Sequence, residues 1–130
     1  SSDVDTNKDD TNLPEKTTDV DSNEVPQMKV TINKDSLFKK YNVKFENKSE
    51  KWLNKITKIS VNGKEYGKGI LWGSEKDHYS IQPIDHNIDI GFEGFKIDDD
   101  NVIIISSSGY KDYLIKVSKD GNLIESKQVN

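Results

Sequence analysis

Apolar and polar residues alternate along two short segments of the chain, residues 28–32 and 41–45. A period of two places alternate side chains on the same face of a β-strand. We therefore expect two strands in a sheet that has one buried face and one solvated face. The side chains predicted to face the core are Met28, Val30, Ile32, Tyr41, Val43 and Phe45.

Further strands are predicted downstream, separated by residues that favour turns. Asn62-Gly63 and Asp120-Gly121 readily adopt positive φ values, so each pair is expected to close a hairpin. The run Val102-Ile103-Ile104-Ile105 is apolar throughout, which is typical of a strand that is buried on both faces or central in a sandwich. The other predicted strands include residues 56–61, 78–81, 84–90, 114–117 and 122–124.

One short helical turn is predicted among the strands. Ser49 is a suitable N-cap residue, and the turn after it carries Trp52 and Leu53 toward the core. No longer amphipathic helix competes with the strands. About seven or eight short strands with turns at this spacing predict an all-β fold, an immunoglobulin-like antiparallel β-sandwich.

The composition divides the chain into two parts. Residues 1–27 contain eight acidic residues and two lysines, a net charge of −6, whereas the whole chain carries −4. This segment has so few apolar side chains that burying them cannot offset the entropy lost on ordering. We predict a disordered acidic tether over residues 1–27 and one β-sandwich domain over residues 28–130.

Several classes of function are disfavoured by residues that the chain lacks. It has no cysteine, which excludes disulfides, thiolate metal sites and a cysteine nucleophile. All 19 basic residues are lysines, and they are scattered, so nucleic-acid binding, which relies on arginine, is not expected. The sequence also contains no nucleophile elbow and no phosphate-binding glycine loop. We expect no enzymatic activity and no cofactor.

Two features resemble metal sites only superficially. His78 and His86 have no third ligand at a matching spacing, and we interpret both as surface strand positions. The run Asp98-Asp99-Asp100-Asn101 lacks the glycine and the glutamate of a calcium-binding loop, so we interpret it as an acidic turn. No metal site is predicted.

The location of the protein is suggested by its polar start. No apolar run is long enough for a transmembrane span or a signal peptide. The first residues, rich in Asp, Ser, Thr and Asn, resemble the spacer behind the lipid-modified cysteine of bacterial lipoproteins; that cysteine would lie upstream of Ser1. We expect an extracellular domain at the cell surface that contacts the membrane only through such an anchor. Lysines along the strands favour a monomer.

A longer pattern resembles a known family. Residues Trp52 to Tyr66 contain W-x-x-x-I-T-x-I-x-V-N-G-x-x-Y, and an apolar strand and the turn Gly109-Tyr110-Lys111-Asp112 follow. This pattern, which covers about residues 35–120, is similar to the Shr-type haemoglobin-interacting domain, a β-rich repeat of Gram-positive surface proteins. The resemblance implies haemoglobin or haemoglobin-haptoglobin as the partner, in haem-iron acquisition.

Direct ligation of haem is not expected from the tyrosines. The bacterial NEAT domains bind haem with a Tyr-x-x-x-Tyr pair, whereas Tyr110 and Tyr113 are separated by only two residues. This spacing places the two side chains on opposite faces of a strand. A haem site of the NEAT kind is therefore not predicted.

Residues 67–74 depart from the family pattern, because three glycines flank three large apolar side chains. The segment either packs over one end of the sandwich, which is the commoner arrangement for a lone tryptophan, or forms an exposed contact patch. Aromatic and aliphatic anchors dominate binding hot spots. We predict that the partner-binding site consists of Ile70, Leu71, Trp72, His78 and Tyr79.

Two alternative functions stay open. In a carbohydrate or cell-wall binding module, Trp72 and Tyr79 would stack on sugar rings. In a non-catalytic spacer domain of a surface lipoprotein, Trp72 would be buried and no ligand would bind. Protection of Trp72 fluorescence by haemoglobin or by a glycan separates these alternatives.

Overall fold

The computed structural model describes residues 28–46, 49–69, 71 and 77–129. Within these residues it contains nine strands and one short helix, α1 (Glu50–Leu53). The strands are β1 (Val30–Asp35), β2 (Lys40–Phe45), β3 (Ile56–Val61), β4 (Lys64–Lys68), β5 (His78–Gln82), β6 (Asn87–Gly91), β7 (Asn101–Ser107), β8 (Asp112–Val117) and β9 (Leu123–Val129).

The nine strands form one sheet with the order β1-β2-β6-β5-β4-β3-β7-β8-β9. Neighbouring strands are antiparallel except β4 and β5, which are parallel, with Gly67 opposite His78 and Lys68 opposite Tyr79. β1 and β9, the first and last strands in this order, contact each other, so the sheet nearly closes on itself. The predicted all-β class is confirmed, with nine described strands where about seven or eight were expected.

Alternation of inward and outward side chains builds the core. All six side chains predicted to face inward from the first two strands are buried. β7 alternates as well: Ile103 and Ile105 are 0% exposed, whereas Val102 and Ile104 on its other face are only partly buried. β7 is thus a central strand between β3 and β8 with one face in the core. Because fully burying such a side chain contributes about 1.5–3 kcal/mol, these inward rows stabilise the sheet.

The short helix α1 carries Trp52 into the core, as its sequence predicts. The Trp52 ring is 0% exposed, and the Ser107 hydroxyl donates a hydrogen bond of 2.8 Å to the Trp52 carbonyl. Ser49 lies at the N-cap position, but its side chain makes no capping hydrogen bond; its Oγ lies 3.3 Å from Nδ1 of His86. In the part of the chain that the structure describes, no helix has the length and apolar character needed to cross a membrane.

One strand begins later than its sequence pattern predicts. Residues 83–86 form a turn, in which the His86 amide donates to the Pro83 carbonyl at 3.0 Å and His86 has φ 59°. A strand cannot continue through this left-handed conformation. β6 therefore begins at Asn87 rather than at residue 84, and Ile84 is 81% exposed.

The connections between strands lie at two opposite ends of the sheet. Lys40 lies opposite Gly91 near one end and Lys44 lies opposite Asn87 near the other. What we call the Phe38 end consists of the turn at 36–39, the connection at 92–100 and the turn at 118–122. What we call the Ile84 end consists of α1, the turn at 83–86 and the turn at 108–111.

Candidate protein-binding surface

The predicted binding segment is described only in part. Ile70 and Trp72 lie outside the described residues, and Leu71 is partly buried. His78 is exposed at the start of β5, and its ring lies over Gly67, where a Cβ atom would be 3.2 Å from Cδ2 of His78. Gly67 therefore leaves room for the histidine ring. The binding role of these residues stays a prediction.

Tyr79 lies in the core of the sheet. Because side chains alternate along β5, Tyr79 turns inward where His78 turns outward, and Tyr79 is 2% exposed. Burial raises the pKa of its phenol. The glycan-binding alternative needs an exposed ring at this position, and the structure instead places the ring among core residues.

The connection at 92–100 is held in one conformation by Asn101. This side chain is 0% exposed, and its Oδ1 accepts hydrogen bonds from the Lys96 amide at 2.5 Å and from Nδ2 of Asn62 at 2.9 Å. Its Nδ2 donates to the carbonyls of Lys96 and Asp99, at 3.2 and 3.4 Å. A buried amide with all these partners fixes the connection that it spans.

The predicted Asn62-Gly63 turn contributes to the same arrangement. Asn62 has φ 52°, Gly63 has φ 88°, and Oδ1 of Asn62 accepts a hydrogen bond of 2.9 Å from the Val102 amide. Nδ2 of Asn62 also donates to the Gly94 carbonyl at 3.2 Å. The hairpin turn thus attaches the connection at 92–100 to β7.

Gly94 is required by the close approach of Tyr66. The Gly94 amide donates to the Tyr66 hydroxyl at 3.1 Å, and a Cβ atom at Gly94 would lie 2.5 Å from that oxygen. Burial, with the nearby Asp77 carboxylate, raises the pKa of the Tyr66 phenol well above its usual value. The hydroxyl stays protonated across the physiological range and accepts the amide hydrogen bond.

Large apolar side chains are exposed at the Phe38 end of the sheet. Leu37 and Phe38, in the turn between β1 and β2, are 79% and 46% exposed, and Ile97, in the connection, is 86% exposed. The Phe38 amide donates to Oδ1 of Asp35 at 3.2 Å, which orders the turn. The Phe92 amide donates to the Lys39 carbonyl at 3.1 Å, so the turn and the connection are joined.

A pocket of about 340 Å³ opens between the turn and the connection. The Tyr41 ring packs against the Phe92 ring at 5.1 Å and the Phe95 ring at 4.1 Å between centroids. Nζ of Lys34 lies 5.3 Å from the centroid of Phe92, which is a cation–π contact. The residues that line the pocket are Lys34, Lys39, Tyr41, Phe92, Glu93, Phe95, Lys96 and Ile97.

The pocket lining carries an excess of positive charge. Three lysines and one glutamate line it, which gives a formal charge of +2. Neighbouring lysines form ion pairs: Lys40 with Asp89 at 3.2 Å, and Lys64 with Asp77 at 2.8 Å. Among the ion pairs between described residues, none uses Lys34, Lys39 or Lys96. This pocket suits a ligand group that is partly apolar and bears a negative charge.

The features that resemble metal sites are separated in the structure. His78 begins β5, whereas His86 lies in the turn beyond the other end of that strand. In the acidic turn, Oδ1 of Asp99 accepts from the Asp100 amide at 2.7 Å, and Asp100 pairs with Lys116 at 3.9 Å. Across the described ranges, no group of three or more His, Asp or Glu side chains is placed to hold a metal ion.

The sequence did not predict the exposed apolar residues and the pocket at the Phe38 end. Leu37, Phe38 and Ile97 interrupt polar segments singly or as a pair, and no periodic pattern distinguishes them. The available signal was the pair Phe92 and Phe95 around Gly94, which places two aromatic rings in a short connection. Their proximity to Lys34 follows from the pairing of β1 with β2 and of β2 with β6, and the second pairing is not local in sequence.

A comparison with protein families identifies a matching family. The family described as heme-binding protein Shr-like, Hb-interacting domain, matches residues 28–119, which is well over half of the chain. The match includes the motif from Trp52 to Tyr66, the turn at Gly109 and all eight residues that line the pocket. No curated protein matches the chain.

Proposed function

The chain belongs to the Hb-interacting domain family of Shr-like heme-binding proteins, and we propose that it is a haemoglobin-binding domain of a bacterial surface protein. The observation that carries this proposal is the family match, which extends from the segment before β1 to the turn after β8. The rigid, partly apolar Phe38 end supports it physically, because exposed apolar side chains on a fixed backbone suit protein docking.

The proposed activity is docking of haemoglobin without ligation of free haem. Tyr113 is 4% exposed, and its ring contacts Trp52 at 5.5 Å between centroids. Tyr110 is partly buried in the turn at 108–111 and packs against the core. The two phenols therefore do not converge on one open pocket. We propose that the domain serves haem-iron acquisition by holding the haem-carrying protein.

The segment chosen from the sequence remains part of the proposal. Of the five predicted contacts, Tyr79 is buried, and the proposed contacts are Ile70, Leu71, Trp72 and His78. Asp77, which precedes β5, lies beside Gly94, with its Oδ1 3.4 Å from the position of a Cβ atom there. Asp77 thus lies next to the Phe38 end. A glycan-binding role finds less support, because the buried Tyr79 offers no ring for stacking.

We also propose an extracellular location on a Gram-positive cell, with residues 1–27 as an acidic tether behind a lipid anchor. Host haemoglobin is met outside the cell, so a haemoglobin-binding domain must be displayed there. Detergent phase partitioning of the native protein tests the anchor. Recovery in the detergent phase is expected, and recovery of the native protein only in the aqueous phase contradicts the anchor.

The function is tested by titrating the purified domain with haemoglobin, haemin and a polysaccharide panel at two salt concentrations. We expect saturable binding of haemoglobin, with no transfer of haem in the visible absorption spectrum. Trp72→Ala is expected to weaken haemoglobin binding while the circular dichroism spectrum stays unchanged. Absence of haemoglobin binding by the wild-type domain contradicts the proposed function, and binding of a polysaccharide instead moves the assignment to the glycan alternative.

A further inference from the structure

We infer that haemoglobin docks on the Phe38 end of the sheet, through a segment that presents a carboxylate beside an apolar side chain. This inference rests on the proposed function and names the surface that would perform it. The surface is defined by the exposed apolar residues Leu37, Phe38 and Ile97 and by the pocket lysines Lys34, Lys39 and Lys96.

The exposed apolar residues are concentrated at this end. Six large hydrophobic side chains of the described residues are exposed, and five of them lie in or next to the Phe38 end: Leu37, Phe38, Ile97, Leu123 and Ile124. The last two begin β9, directly after the turn at 118–122. The sixth, Ile84, lies at the opposite end. Single exposed apolar side chains are ordinary on protein surfaces, whereas a group of them indicates an interaction site.

The turn at 118–122 packs against two residues of the pocket, Lys34 and Tyr41. Gly121 has φ 90°, and a Cβ atom there would lie 3.2 Å from Cβ of Lys34 and 3.4 Å from Cε1 of Tyr41. The chain leading into Leu123 is therefore in contact with the wall of the pocket. Leu123, two residues after Gly121, therefore begins β9 close to the pocket.

The positive charge of the pocket indicates which chemical group of the partner contacts it. Its lining has a formal charge of +2, and three of its lysines take part in none of the ion pairs between described residues. A carboxylate of the partner complements this charge, while an adjacent apolar side chain covers Phe92 and Ile97. Such complementarity mainly fixes orientation and speeds association, and apolar burial supplies most of the affinity.

The rigidity of the connection lowers the cost of docking. Three hydrogen bonds of Asn101 and one of Asn62 hold residues 94–99 before a partner arrives, and Asn62 also donates to Asn101. Ile97, which is 86% exposed, is therefore presented from a backbone that loses little freedom on binding. Preorganisation of this kind raises affinity without adding contacts.

The test compares two isoleucines of nearly equal exposure at opposite ends, Ile97 (86%) and Ile84 (81%). Haemoglobin affinity is measured for the wild type, Ile97→Asp and Ile84→Asp. We expect Ile97→Asp to weaken binding about tenfold or more, as replacement of a hot-spot residue does. We expect Ile84→Asp to change the affinity less than about twofold, as a residue outside an interface does. Urea denaturation of both variants verifies that each is folded.

A second measurement tests the carboxylate directly. Carbodiimide joins a lysine amine to a carboxylate only where the two are in contact, and mass spectrometry identifies the joined residues. In the complex with haemoglobin we expect cross-links at Lys34, Lys39 or Lys96. The exposed lysines Lys29 and Lys44, near the other end, are the matched controls.

The outcomes distinguish an error in the docking surface from an error in the proposed function. If the wild-type domain binds haemoglobin but Ile97→Asp binds equally well, or cross-links occur only at Lys29 or Lys44, the docking surface is wrong and the function stands. If the wild type does not bind haemoglobin, both fail. A wild-type dimer that Ile97→Asp converts to a monomer, with unchanged haemoglobin affinity, assigns the face to a second copy of the chain and overturns the inference.

Discussion

Two aromatic clusters lie at opposite ends of the same sheet and differ in their surroundings. The Trp52 cluster, at the Ile84 end, consists of Trp52, Phe45 and Tyr113, and none of the three rings is more than 4% exposed. The Phe92 cluster, at the Phe38 end, consists of Tyr41, Phe92 and Phe95, which line the lysine-rich pocket. Tyr41 and Phe95 are buried here too, and Phe92 is only partly buried. Similar ring contacts thus close the core completely at one end and leave one ring, Phe92, partly exposed beside a pocket at the other.

The difference follows from what covers each cluster. At the Ile84 end, α1 places Trp52 against Phe45 of β2 and Tyr113 of β8, so the three rings bury one another. At the Phe38 end, the connection at 92–100 is fixed by polar hydrogen bonds to Asn101, which hold it beside the pocket. Apolar closure stabilises the fold, and polar support of an open pocket keeps a binding surface available.

The largest expected effect is a loss of stability when the Trp52 cluster is disrupted. Trp52→Ala removes a fully buried ring and leaves a cavity, so the free energy of unfolding should fall by about 3–5 kcal/mol. Urea denaturation monitored by circular dichroism measures this loss. The control is Phe92→Ala, which should cost less because the Phe92 ring is already partly exposed at the pocket. Equal losses for the two variants would show that the clusters do not differ as described.

A smaller loss of stability is expected when the connection at 92–100 loses its hydrogen bonds to Asn101. Asn101→Ala leaves the Lys96 amide and Nδ2 of Asn62 without one acceptor, so the free energy of unfolding should fall by about 1–3 kcal/mol. Haemoglobin affinity should also fall, because Ile97 would no longer be held in place. Hydrogen exchange at the Lys96 amide should accelerate.

The matched control for this prediction is Asn54→Ala, an exposed asparagine that follows α1 at the Ile84 end. It should leave haemoglobin affinity and the exchange of the Lys96 amide unchanged. If Asn101→Ala lowers stability but keeps full affinity, the preorganisation of the connection plays no part in binding.

The sequence predicted the core residues and the local turns far better than the open surface at the Phe38 end. Period-two alternation identified Tyr41, Val43 and Phe45 as core residues, and the family motif placed Trp52 in the core, because both signals are local in sequence. The Asn62-Gly63 turn was predicted for the same reason.

The remaining features depend on contacts between distant residues. Asn101 was interpreted only as part of an acidic turn, since its bond to Asn62 spans 39 positions of the chain. The parallel pairing of β4 with β5 has no signature in either strand. Tyr79 was predicted to be a contact residue from its residue type, whereas its facing direction is set by the register of β5 on β6.

The smallest expected effect is a pH dependence at the open end, where Lys64 on β4 pairs with Asp77 beside β5 at 2.8 Å. The hydrogen bond from Lys64 lowers the pKa of Asp77 below its usual value of 3.8. A carboxyl whose pKa is lower in the folded state contributes stability above its unfolded pKa, and this contribution is lost as the pH falls through the folded pKa. Because the pair is exposed, solvent and salt screen it.

The urea midpoint should therefore be slightly higher for the wild type than for Asp77→Asn at pH 6 and low salt. The difference should shrink below about pH 3.8 and at high salt. A difference that persists at low pH would mean that contacts of the Asp77 side chain other than its charge, such as that with the Tyr66 hydroxyl, stabilise this end.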